Sequence, residues 1–295
     1  MSINIIRQRI IDVKKLKPYN YYIYSERMLC TEMIYMKKKL GLVLGAGGAR
    51  GIAHIGLLQA FEENGIVPDF ISGCSAGAIV GACYCSGMSP EDIFAEVMKL
   101  KKNDIMDPIP VIAGQGLFSP DKMISKIRSV IGNKRICDLE KPFRPVATDL
   151  IKGELKIFEG RYDTAKAVAA SACLPAVFEP VAIAGVQYID GGVLRRLPVS
   201  AVREMEPDVV VAVDVYPKDN NRTEYKYMID VLERAFELLD KDGINFKTKA
   251  ETPDVFIQPD LGDMSQYTFK GFEDAYYKGY EAGIEYIKEI KMLLE

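Results

Sequence analysis

Histidine is almost absent from this chain: His54 is the only one in 295 residues, and there is no tryptophan. A zinc site built on several imidazoles is therefore excluded. The six cysteines (Cys30, Cys74, Cys83, Cys85, Cys137, Cys173) form no Cys-x-x-Cys pair, so a cysteine-only metal site has no suitable spacing either. No dense acidic run offers calcium a cage, and no cofactor is expected. An apolar secretory segment is missing from the start of the sequence, which together with unpaired cysteines makes a reduced, cytoplasmic protein the expectation. The net charge of -3 gives no reason to expect a nucleic-acid partner. One uncharged stretch, Phe70 to Pro90, is long enough by count to span a membrane, but it is rich in glycine, serine and cysteine. It reads as a buried strand followed by a helix.

What is present falls into two parts. Residues 1–39 carry nine Lys/Arg against three Asp/Glu and five tyrosines, with no clear period. They read as a basic, Tyr-rich N-terminal extension, either poorly ordered or in peripheral contact with an anionic membrane surface. From Leu40 onward, apolar runs alternate with helical spacing, which predicts one α/β domain over 40–295 with a mainly parallel sheet. "KLGLVLGAGG", "PDFISGCSAG", "RPVATDL", "VQYIDGG" and "PDVVVAVDV" read as strands; the last is nearly continuous in valine, as a strand buried on both faces should be. "IAHIGLLQAFEENG", the stretch from Ala76 to about Cys85, "SPEDIFAEVMKLKK" and two late segments (223–242 and 271–295) read as helices. Ser89 is placed as a cap, with Pro90 in the first helical position.

Gly73-Cys74-Ser75-Ala76-Gly77 fits Gly-x-Ser-x-Gly, with a strand before it and a helix after it. A serine on so sharp a turn needs small neighbours, and it reads as a nucleophile. Cys74 beside it should point elsewhere, as packing. The loop "GLVLGAGGARG" exposes backbone N–H groups at a helix start, suited to a phosphate or an oxyanion. A dinucleotide site would need glycine at Arg50 and an acid at the end of the next strand, where Ser75 stands. Both checks fail. His54 lies seven residues past Gly47, about ten ångströms up a helix, and reads as packed. A carboxylate can serve as base instead; Asp190 ends a predicted strand, although an Asp-Gly turn alone would explain it equally well. The punctuated segment 101–122 reads as a lid or as a structural loop.

"GAGGARG", "GCSAG", "ATDL", "AASACLPAVFEPV" and "DGG" stand in the order, and at roughly the spacings, of patatin-like phospholipases, over about residues 38–258. The chain resembles that family. The resemblance implies a three-layer α/β sandwich with a mainly parallel central sheet and a lipid acyl hydrolase with a Ser-Asp dyad. Ser75 would be the nucleophile, Asp190 the base, Gly47 and Gly48 the oxyanion donors, and Arg50 the basic residue of the loop. A lipid or ester substrate follows; acyltransfer, or a catalytically weak lipid-binding or regulatory protein on the same fold, is the alternative. Two departures stand out: Ala46 replaces the first of three loop glycines, so the loop must be reshaped if that position needs positive φ, and Arg195 and Arg196 follow the DGG. Those arginines would contact a phosphate headgroup or form ordinary salt bridges.

Overall fold

Strands dominated by β-branched residues and leucine are followed by helices, and the first two of these pairs set up the site. The computed structural model describes residues 37–109, 114–217, 224, 228–239, 250–266 and 270–295. β1 (Leu40–Leu44) leads through a 3-10 turn at Gly48–Gly51 into α1 (Ile52–Glu63), and β2 (Phe70–Cys74) leads into α2 (Ala76–Cys85). α3 (Pro90–Lys99), the short α4 (Lys102–Ile105), β3 (Asp107–Pro108), β4 (Gly116–Ser119) and α5 (Asp121–Ile131) precede the longest strand, β5 (Phe143–Asp149). β6 (Glu154–Ile157), α6 (Thr164–Ala172), β7 (Ala176–Phe178), β8 (Val181–Ile183) and β9 (Val186–Asp190) come next. α7 (Gly192–Arg195), α8 (Val199–Arg203), β10 (Val209–Val213), α9 (Met228–Leu239), β11 (Val255–Ile257) and α10 (Phe272–Leu294) complete the described elements. The basic arm lies outside the described residues as far as position 36.

The main sheet runs β11-β10-β1-β2-β5-β9-β8, with β6 also on β5. Its first five strands are parallel, while β6, β8 and β9 are antiparallel additions. The uncharged stretch from Phe70 is β2 followed by α2, as read from its composition. Ser89 caps α3 by accepting from the Asp92 N–H, ahead of Pro90.

Pleating divides the strands between two cores. Leu40, Leu42, Leu44, Val209, Val211 and Val213 face the larger core with α1, α2 and α6. Val43, Val210 and Ala212 face a smaller one closed by Val199 and Val202 of α8. Hence the valine run of β10 is buried at every position, and the molecule is a helix–sheet–helix sandwich. α10 packs chiefly on α1, forming a further layer over it.

A second, small sheet, β3-β4-β7, was not anticipated from sequence. Its strands have two to four residues each and sit among prolines and glycines, too short for a period to register. It anchors much of the predicted lid segment, since Asp107 pairs with Ser119 and Gly116 with Ala176.

Candidate active site

Strand register brings the two ends of the site together. Val146 of β5 pairs with Cys74 of β2 on one side and Ile157 of β6 on the other; Asp149 pairs with Tyr188 of β9 and Glu154 of β6. β2 and β9 therefore share one edge of β5 and run toward each other along it. Cys74 ends opposite Val146, and Asp190 ends opposite Ala147, the next residue. Ser75 and Asp190 meet there.

Ser75 has φ 52 and ψ -119, a conformation that a residue with a side chain rarely adopts. Glycine is required on both sides: a Cβ on Gly73 would lie 2.6 Å from the Gly77 carbonyl oxygen, and one on Gly77 would run into the Leu44 carbonyl. The Ser75 N–H donates to Ser171 Oγ of α6 at 2.9 Å, and the Ser75 carbonyl accepts from Ala78 and Ile79 in the first turn of α2. The residue thus sits at the positive end of a ten-residue helix.

The Asp190 carboxylate is buried, with 5% of the residue exposed. Its Oδ1 accepts from the Gly192 N–H at 2.7 Å and the Cys74 thiol at 3.7 Å, and the Ser75 hydroxyl stands beside the carboxylate. Burial raises its pKa to about 6, against those three groups, which lower it. Its backbone is fixed on both sides, the N–H donating to Cys173 O and the carbonyl accepting from Thr148 Oγ1. The first glycine of DGG has a steric reason: a Cβ on Gly191 would press on the Val146 carbonyl and the Cys74 sulfur. Cys74 is fully buried, but contrary to the sequence expectation it does not point elsewhere: its thiol donates to the Asp190 carboxylate, because Cys74 ends β2 opposite Val146, next to the residue that Asp190 faces.

The glycine loop closes the third side. Ala46 N–H donates to Arg196 O, Ala49 N–H to Gln266 O and Arg50 N–H to Gly47 O. Among the described residues the N–H groups of Gly47 and Gly48 have no acceptor. Gly48 has φ +55, and a Cβ there would strike Gln266; one on Gly47 would strike Val215. Ala46 is not among the positive-φ residues, so the departure anticipated at that position needs no reshaping of the loop.

His54 is fully buried in α1 and donates through Nε2 to Gly45 O at 2.9 Å; burial lowers its pKa to about 4, so it stays neutral. It supports the loop from below. Arg50 is also buried, its Nε on Met264 O at 2.7 Å and its guanidinium over the Tyr216 ring. Arg196 pairs with the buried Asp214 at 2.9 Å, and its guanidinium lies over the same Tyr216 ring, 4.3 Å from the centroid. Arg195 pairs with Glu251 at 2.6 Å. None of the three arginines lines the cavity, so the structure brings Ser75, Asp190, Gly47 and Gly48 together and leaves the arginines behind them.

That cavity has a volume of about 290 Å³ and opens over Ser75, Asp190, Gly47 and Gly48. Its remaining walls are almost wholly apolar, with Ile105 and Met106 supplied by the predicted lid segment. Sequence reasoning missed Ser171, although it lies within the "AASACLPAVFEPV" run. It also missed Tyr216, Phe236 and Gln266, which reach the wall from distant parts of the chain.

A serine on a strained elbow, a buried carboxylate and two uncovered amides form the layout of an acyl-transfer site on an α/β sheet. The sequence model for patatin-like phospholipase matches residues 42–203, more than half the chain, and the chain belongs to that family. An uncharacterized NTE family protein of Mycobacterium bovis is 36% identical over 60% of this chain and 49% of its own length. The lysophospholipase NTE1 of Scheffersomyces stipitis is 31% identical over 90% of this chain and 19% of its own. The chain thus spans about half the length of the mycobacterial relative and much less of the yeast one. The solved structure of VipD from Legionella pneumophila aligns over 86% of this chain and 67% of its own, with 17% identity and a TM-score of 0.48. Among the described residues no helix is long and apolar enough to cross a membrane.

Proposed function

We propose that this chain hydrolyses a lipid acyl ester through an acyl-serine intermediate, with Ser75 as nucleophile and Asp190 as its base. One observation carries the reading: strand register brings Ser75, on its strained elbow, up to a buried carboxylate at the polar end of an otherwise apolar cavity. Asp190 takes the hydroxyl proton as Ser75 Oγ attacks the ester carbonyl. The N–H groups of Gly47 and Gly48 receive the developing oxyanion, an interaction whose loss typically costs about 3–4 kcal/mol of transition-state stabilisation. The leaving alcohol takes the proton from Asp190; water, deprotonated by the same carboxylate, then releases the fatty acid and restores Ser75. No imidazole is needed, and the only one present is neutral beneath the loop. The family membership and the lysophospholipase name of the yeast relative support a lipid ester as substrate.

Labelling by a fluorophosphonate, with turnover of a short-chain ester, tests the assignment. Wild type should label and hydrolyse; Ser75→Ala should do neither, with turnover down by at least about a thousandfold. Unchanged labelling of Ser75→Ala would assign the nucleophile elsewhere.

A further inference from the structure

The cavity is divided by solvent access. Leu100, Ile105, Met106 and Phe236 are half-buried, whereas Val80 and Met123 are only 5% and 4% exposed and form walls that water scarcely reaches. Val80 stands five residues along α2 from Ser75, about 7–8 Å by helical rise. Met123 belongs to α5, which packs against both α2 and α6. Among the described residues no lysine or arginine lines the cavity, so these walls present no cation for a phosphate to recognise. What a bound chain meets beyond Ser75 is apolar surface, with Val80 and Met123 among its buried walls.

Resting on the acyl-hydrolase reading, we propose that the cavity selects its substrate by the length of one acyl chain, and that Val80 and Met123 set the limit. A volume of about 290 Å³ holds roughly ten groups of water size, hence a chain of roughly ten carbons, since a methylene is of similar bulk. A second chain of a diacyl lipid has no space in it. A misfit of one methylene in an apolar pocket changes relative rates by roughly tenfold or more, so a chain several carbons too long is strongly disfavoured.

The experiment is a series of para-nitrophenyl esters, butanoyl, octanoyl, decanoyl, dodecanoyl and hexadecanoyl, read as kcat/KM relative to one another within each preparation. Such ratios do not depend on the folded fraction. Wild type should peak near octanoyl or decanoyl and fall at least about tenfold by hexadecanoyl. Met123→Ala should move the maximum toward the longer chains, and Val80→Phe toward butanoyl. A wild-type profile flat to hexadecanoyl, or one that neither substitution moves, overturns the length limit while leaving the hydrolase reading in place. Inertness to every ester without fluorophosphonate labelling overturns that reading, and the length limit with it.

Discussion

Gly47 and Gly48 lie where the chain leaves amides uncovered; Gly56, Gly279 and Gly283 lie where helices α1 and α10 touch. In the helix seam a Cβ on Gly56 would meet the Tyr276 carbonyl, and one on Gly279 the Ala53 carbonyl. These glycines allow close approach of backbones whose hydrogen bonds stay inside their own helices. At the loop, by contrast, Gly48 at φ +55 lines one cavity together with Ser75 at φ 52 and a buried carboxylate. The same residue type serves packing in one region and chemistry in the other. Unfavourable terms gather at the site, and the seam helps to hold the fold that tolerates them.

The largest expected effect sharpens that contrast. Asp190→Asn removes the proposed base and should lower kcat/KM by roughly three to four orders of magnitude. It should also raise stability near neutral pH. The folded-state pKa of Asp190 is raised from 3.8 to about 6, so ionisation disfavours the fold by something on the order of 2–3 kcal/mol. The sign follows from burial: the folded state holds the proton more tightly. Stability linked to this group is greatest below about pH 4, declines as pH rises through about 6, and levels off above it. Activity runs the other way, because the base must be ionised, and kcat/KM of wild type should climb through about pH 6 to a plateau. Thermal unfolding and a pH–rate profile check both. A less stable Asp190→Asn protein at pH 7 would show that the carboxylate supports the fold rather than straining it.

A smaller effect is expected at the loop itself. Gly48→Ala places a methyl group at positive φ against Gln266, and the backbone must turn to relieve it. Turnover should fall by about two orders of magnitude through lost oxyanion binding. KM should change little, since the lost amide contact is one made chiefly in the transition state. A rise in KM with kcat unchanged would instead assign Gly48 to substrate contact alone.

Sequence carried the serine and the carboxylate of the candidate site better than it carried the cavity, for a physical reason. The elbow is local: Gly73, Ser75 and Gly77 satisfy one another's steric needs within five residues, so the pattern is visible without tertiary structure. The valine run of β10 announced its two buried faces in the same way. Asp190 was legible only as a strand-end acid, because its meeting with Ser75 depends on β2 and β9 sharing an edge of β5. The arginines illustrate the opposite limit. Nothing local distinguishes Arg196 as a partner of Asp214 from Arg196 as a headgroup ligand, because its partner stands eighteen residues away in sequence. Tyr216 and Gln266 reach the wall from irregular chain after β10, and Phe236 from a helix whose period the sequence shows but whose place over the cavity it does not.

The seam supplies the smallest effect on catalysis and a direct test of the division between the two kinds of glycine. Alanine is ordinarily a better helix former than glycine by about 1 kcal/mol, so Gly279→Ala would stabilise α10 if its surface were free. Here the added Cβ meets the Ala53 backbone, which cannot rotate away, and α10 must move off α1. Overpacking of this kind typically costs about 1–3 kcal/mol, enough to exceed the gain in helix propensity. The melting temperature should fall, while kcat and fluorophosphonate labelling below the transition should remain those of wild type. Ala53 and His54 are adjacent on α1, and His54 holds Gly45 of the loop, so a shifted α1 has one route to the site. If Gly279→Ala lowers kcat in fully folded protein, that route transmits the displacement, and the seam belongs to the active site's support as much as to the core.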